Sequence, residues 1–280
     1  LKEKEKNKKN YEEQGESMSF WTHLEELRGH LVRSVIAIFL LAIGAFIAKD
    51  LLFDYVILAP KEPYFFTNRL FCWFADRFSA PALCINQNPV EIINIELAGQ
   101  FKTHIIVSLI SGLIVSFPYI LYEFWSFIRP ALHPREKANS RGAVFVTSFL
   151  FLLGVSFSYF IIAPLTINFL GSYQVSDLVA NQIALRSYIA TVTMVTFATG
   201  IVFELPVIVY FLSRVGMLTP EFMKKNRKVA FILIIALSAL ITPPDIFSQI
   251  LVGIPLYVLY EISIGISKRV NKEMEARMNE

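Results

Sequence analysis

Two adjacent carboxylates, Glu25 and Glu26, stand within one helical turn of a long apolar run in "WTHLEELRGHLVRSVIAIFLLAIGAFIA", Trp21 to Ala48. Thr22 followed three residues later by Glu25 fits a helix capping box, in which the two side chains satisfy exposed backbone N–H groups. That leaves Glu26 without a structural task, although a solvated surface charge needs none. Leu24, Leu27 and Leu31 share one helical face and Glu26, His30 and Arg33 another, which predicts an amphipathic stretch at a membrane interface. A second segment, "YEFWSFIRPALHPREKANSRG", contains Pro130 and Pro134; a helix starting at Pro134 puts Glu136 in its first turn. A carboxylate there also complements the helix dipole with no ligand at all. Trp125 and Phe127 nearby suit interfacial anchoring. Two carboxylates beside aromatic and apolar surface nevertheless match a basic peptide with a hydrophobic flank.

A third acid lies inside an apolar run. In "TVTMVTFATGIVFELP", Thr193, Thr196, Gly200 and Glu204 fall on one helical face. A carboxylate in a span costs roughly 2.5–3.5 kcal/mol on insertion scales and usually faces protein or water. Its alternatives are a packing acid and a partner-facing polar stripe. The best base-and-nucleophile pair to be assembled is His104 with Ser108, four residues apart on one face, a spacing common by chance. The sequence holds no HExxH, GxSxG or nucleotide-binding loop, so no catalytic, metal or cofactor site is expected.

These residues need a membrane scaffold. The chain of 280 residues is 55% apolar, and several of its runs approach the roughly 20 residues that span a bilayer. Spans are predicted at Leu31–Ala48, Ile105–Tyr122, Ala143–Leu170, Ile189–Leu212, Val229–Ile241 and Ile246–Ile266. The fold class is therefore an all-α integral membrane protein of six transmembrane helices. Pro118, Pro164, Pro206 and Pro255 favour kinks. Residues 1–33, Glu123–Gly142, Leu212–Lys228 and the stretch after Ile266 hold seven, four, five and four of the 26 basic residues, which predicts that both termini are cytoplasmic. The net charge of +3 reflects this bias and gives no reason to invoke nucleic acid.

The domain reading is a disordered cytoplasmic tail over 1–18, a membrane domain over 19–268 and a C-terminal cytoplasmic tail over 269–280. The extracytoplasmic loop, about 51–97, contains Cys72 and Cys84, whose compartment permits a disulfide; two reduced, buried cysteines are the alternative. "ITPPDIFSQ" reads as a tight turn with Asp245 placed to cap the last helix.

Taken together, "HLEELR" before the first span, "FIRPAL" followed by Glu136, "FELP" in the fourth span and "TPPDIFSQ" before the sixth resemble the TatC family. These are multispanning receptor subunits of twin-arginine protein translocases, and the likeness covers about Ser19 to Lys268. The resemblance implies a concave, cup-like bundle in the bacterial inner membrane that binds the twin-arginine signal peptides of folded cargo. It also implies self-association and assembly with single-span TatA and TatB subunits for export driven by the proton-motive force. By motif position, Glu26 and Glu136 match the acids that engage the arginine pair, Arg28 completes "ELR", and Phe127 lies in the matching aromatic patch. Glu204 matches the intramembrane acid, with Gly200 and Thr196 on its stripe, and Asp245 and Gln249 match the turn before the last helix. Arginine's planar fork of donors suits a carboxylate. The tail, the cysteine-bearing loop and Gly29–His30 depart from the family pattern. An ion-coupled small-solute transporter would also want an intramembrane acid, but no repeated halves are found.

Overall fold

A computed structural model describes residues 20–87, 90–128, 134–176, 181–242 and 246–278. The tail expected to be disordered, 1–18, lies outside them, as does Asp245. Ten α-helices occur among the described residues: α1 (Phe20–Ile47), α2 (Phe66–Arg77), α3 (Gly99–Ile128), α4 (Pro134–Phe157), α5 (Ala163–Ser172), α6 (Leu185–Val202), α7 (Leu205–Arg214), α8 (Pro220–Lys225), α9 (Arg227–Ile241) and α10 (Ile246–Met278). The described strands are a two-residue parallel pair, β1 (Ile92–Ile93) with β2 (Ile183–Ala184), Ile92 opposite Ile183.

Five stretches are long and apolar enough to cross a membrane: Glu25–Ile47, Gly99–Ile128, Gly142–Ser172, Leu185–Arg214 and Gln249–Ala276. The fold class is therefore all-α with membrane-spanning helices, whereas the sixth predicted span is the 15-residue α9. At 1.5 Å per residue α9 reaches about 22 Å against a hydrocarbon core of about 30 Å. The 30 residues of α3 reach about 45 Å, so this helix outruns the hydrocarbon core. The expected C-terminal tail is helical as far as Met278, because α10 continues without a break.

The prolines act differently in different places. Pro206 follows the interruption between α6 and α7 at Phe203–Glu204, since it lacks the amide that would continue the ladder. Ahead of Pro164 the chain widens into a π-helix, Ser158–Ile162. Pro164 cannot supply the amide that would reach the Phe160 carbonyl in an α-helix, and the Thr67 hydroxyl of α2 donates there instead. Pro118 and Pro255 sit within helices that continue through them.

The segment between α1 and α3 is folded rather than irregular. A π-helix, Leu51–Ile57, follows α1, and α2 is anchored by buried asparagines. Asn68 donates to the carbonyls of Pro60 and Glu62 at 3.0 and 2.7 Å, and Asn86 donates to Asn68 Oδ1 at 3.1 Å and to the Pro164 carbonyl at 3.0 Å. Asn86 itself adopts φ 52°, a left-handed conformation that asparagine tolerates. Cys72 of α2 and Cys84 are disulfide-linked in this cap. A main apolar core, including Ile162, Val195, Phe203, Ile234, Val252 and Leu256, joins the π-helix to α6, α9 and α10.

Candidate functional site

α1 and α3 run antiparallel, as shown by the partners His30 with Glu123, Ala42 with Gly112, and Phe46 with His104. This register brings the start of α1, which carries Glu26 and Arg28, to the end of α3, which carries Phe127. Glu26 and Arg28 are exposed, and Glu26 makes no hydrogen bond or ion pair among the described residues. The rings of His30 and Phe127 meet edge to face with centroids 6.1 Å apart. Glu136 is the third residue of α4, in its first turn as expected; its side chain lies outside the described residues.

The capping-box reading is corrected. The chain is already helical at Phe20, so Thr22 stands inside the first turn of α1 rather than ahead of it, and Glu25 is not the third residue after a cap. Glu25 is exposed like Glu26. Neither acid is required to terminate the helix.

Sequence reasoning missed Glu123. Although 4% exposed, this acid is fully engaged: Tyr119 donates to its Oε1 at 2.7 Å, and Oε2 meets His30 Nδ1 at 2.5 Å and Arg33 Nη1 at 3.5 Å. A buried carboxylate is tolerated when paired and hydrogen-bonded in this way. The available signals were Tyr119 and Glu123 at i, i+4 on α3, and His30 with Arg33 at i, i+3 on α1. Only the antiparallel docking of the two helices unites them.

The intramembrane stripe faces other helices of the bundle. Thr196, Gly200 and Glu204 are all buried. A Cβ on Gly200 would stand 2.8 Å from Phe151 and Val155, so this face of α6 is turned against α4. Thr193 returns its hydroxyl to the Ile189 carbonyl at 2.6 Å. The Thr196 hydroxyl and Glu204 Oε1 have no partner among the described residues. Small residues permit this close helix approach, and an unpartnered buried polar atom in a membrane bundle is costly. Gln249 donates from Nε2 to the Ile235 carbonyl at 3.0 Å, tying α10 to α9.

His104 and Ser108 do not form a catalytic pair. His104 stacks on Phe46 with centroids 3.9 Å apart, and its Nε2 meets the Phe46 carbonyl at 3.0 Å, while Ser108 is buried. At the N-terminal end of α6, Arg186 bonds Glu96 at 3.1 Å and holds that carboxyl below its ordinary pKa; Lys102 at 3.7 Å adds to the effect. Among the described residues no group of three His, Cys, Asp or Glu is arranged to hold a metal.

The family model described as "Sec-independent protein translocase protein (TatC)" matches residues 22–255. A TatC protein of Blattabacterium sp. subsp. Periplaneta americana is 41% identical over 96% of this chain and 99% of its own length. One from Helicobacter pylori is 34% identical over 89% of this chain and 87% of its own. Among solved structures, the crystal structure of a twin-arginine translocase receptor, TatC, in DDM superposes with a TM-score of 0.69 at 33% identity, covering 88% of this chain and 99% of that one.

Proposed function

The chain belongs to the TatC family of Sec-independent protein translocase proteins, and on that premise we propose that its α1–α3 end receives the twin-arginine signal peptide of a folded cargo protein. It is a multi-pass membrane protein and a core subunit of the twin-arginine translocase. The role proposed for it is binding and assembly rather than a covalent reaction.

The observation that carries the reading is Glu26. An exposed carboxylate with no partner among the described residues sits one turn from an aromatic contact, on a helix held to α3 by the buried Glu123. A guanidinium can chelate such a carboxylate through two parallel hydrogen bonds, each charge-assisted bond contributing about 1.5–3 kcal/mol. Glu136, in the first turn of α4, supplies the second acid, Arg28 completes the motif on α1, and Phe127 lies against the hydrophobic flank of the peptide. Both chain termini and this site face the cytoplasm, and α9 is the sixth span, accommodated by local thinning of the bilayer.

TatA- and TatB-type helices associate at the α6–α7 break over the exposed Ile201 and Ile208; the buried Glu204, Thr196 and Gly200 pack behind that surface, and Gln249 fixes the neighbouring α9–α10 pair. Copies of the subunit associate within the complex. No observation favours the small-solute transporter alternative. Capture of a twin-arginine peptide on the purified protein, compared with its twin-lysine variant, tests the reading. The arginine peptide is retained and the lysine peptide washes off, because an ammonium cannot reproduce the bidentate fork. Equal retention of both would contradict it.

A further inference from the structure

The two faces of α2 are reversed from those of a helix in water. Its buried side chains are Thr67, Asn68 and Ala75, all small or polar, and the first two are held by hydrogen bonds to the carbonyls of Phe160, Pro60 and Glu62. Phe66, Leu70 and Trp73, spaced four and three apart, share the opposite face and are exposed, Phe66 by 67% and Trp73 by 59%. Trp73 meets Phe74 edge to face with centroids 5.0 Å apart, and Phe74 stacks with Phe78 at 6.2 Å. The apolar surface is thus continuous around the end of the helix. A surface helix in water buries its apolar face and shows its polar one, whereas a helix lying in a membrane interface turns its apolar face to lipid.

The level of α2 follows from what it docks on. Phe65, directly ahead of it, is buried against Tyr159 and Phe160, with centroids 5.5 and 5.7 Å away, and Thr67 donates to the Phe160 carbonyl. Tyr159 and Phe160 belong to the apolar stretch Gly142–Ser172, which begins directly after Arg141. Eighteen residues on from Gly142, Phe160 lies about 27 Å along the span, close to the far edge of a hydrocarbon core of about 30 Å. Because α2 connects the end of α1 to the start of α3, this edge is the one away from the α1–α3 peptide end. Aromatic side chains concentrate at that depth. Arg69, Asp76 and Arg77 are also exposed on α2, and arginine can reach lipid phosphate from an interfacial helix while its stem stays in apolar surroundings.

We propose that α2 is an interfacial helix: its Phe66, Leu70 and Trp73 face, continued by Phe74 and Phe78, is seated in the lipid leaflet away from the peptide end, with Arg69 and Arg77 at the phosphate level. The occupant of this face is the protein's own bilayer. The Cys72–Cys84 bond beside Trp73 and the Asn86 contact with Asn68 fix the rotation of α2 and so keep the aromatic face outward. The cysteine-bearing loop thereby anchors the cap to lipid, a role independent of peptide binding.

The test uses the full-length protein and its W73F variant in phosphatidylcholine nanodiscs, plain or with acyl chains brominated either near the headgroup or near the chain end. The difference in emission between the two proteins isolates Trp73 from Trp21 and Trp125. Bromine near the headgroup is expected to quench most of that difference signal, and to quench more of it than bromine near the chain end. Unquenched emission overturns the proposal. Iodide in the buffer then identifies the real neighbour, quenching Trp73 if the face is open to water and sparing it if a second copy of the protein covers it. Equal or stronger quenching by bromine near the chain end overturns the interfacial placement. Should W73F fail to fold, W21F/W125F leaves Trp73 as the sole tryptophan and gives the same readings.

Discussion

Gly112 of α3 lies against the backbone of Ala42 in α1, so closely that a Cβ at Gly112 would stand 2.6 Å from the Ala42 nitrogen and 2.8 Å from the Ile38 carbonyl oxygen. The obstruction is backbone, which cannot rotate away as a side-chain tip can. Gly112 thereby sets the separation of the two helices whose ends form the candidate peptide site. Gly112→Leu is expected to force α1 outward and cost about 1–3 kcal/mol, the usual range for overpacking. Thermal unfolding in detergent should show a lowered midpoint; an unchanged midpoint would mean the helices separate freely.

The Glu96 and Arg186 pair gives a pH dependence with a defined sign. Because Arg186 holds the Glu96 carboxyl below its ordinary value of 4.5, the pair steadies the N-terminal end of α6 above that value. The contribution is lost as pH falls through the lowered folded-state pKa. Hydrogen exchange at the start of α6 should accelerate in the wild type once the pH falls through that lowered value. In E96Q it should be fast already at neutral pH, with no step on acidification. A step of the same size in E96Q would assign the acid sensitivity to another group.

We propose that the Cys72–Cys84 bond forms in the native membrane, where it closes a short loop that includes part of α2. The chain-entropy account gives such a loop roughly 3 kcal/mol of local stabilisation. Protein isolated under non-reducing, denaturing conditions should resist alkylation at both thiols. Modification of both would establish two reduced cysteines instead.

Docking of a single-span partner at the α6–α7 break can be tested without replacing Glu204 by a probe. Ile201 and Ile208 flank it and are 43% and 47% exposed. Photocrosslinkers there should capture a TatA- or TatB-type helix, and Glu204→Ala should reduce the yield severalfold. Undiminished capture in Glu204→Ala would leave Glu204 as an acid that packs α6 against α4.

The spans were legible because apolar runs of nearly bilayer length have few other uses, and the shortness of α9 could be counted directly. The break at Pro206 and the helix start at Pro134 followed from the missing proline amide. Other features depend on pairs that sequence does not join. His30 and Glu123 are 93 residues apart, and their contact exists only because α1 and α3 dock antiparallel. The asparagine cap is similar, since Asn86 reaches Pro164 across 78 residues. The capping-box expectation failed for a local reason: Thr22 and Glu25 have the right spacing, but α1 is already helical at Phe20. The stripe of Thr196, Gly200 and Glu204 was correctly placed on one face, yet periodicity does not say whether a face meets water or another helix; Phe151 and Val155 decide that.

The central claim is that the exposed Glu26 carboxylate binds an arginine of the signal peptide, and the most direct measurement is the equilibrium affinity of a twin-arginine peptide for wild type and for E26Q in nanodiscs. Loss of one charge-assisted contact of about 1.5–3 kcal/mol should weaken binding ten- to a hundredfold. Because Glu26 has no partner within the described residues, the unfolding midpoint should stay the same. Identical affinities for the two proteins, with E26Q folded, would contradict the account.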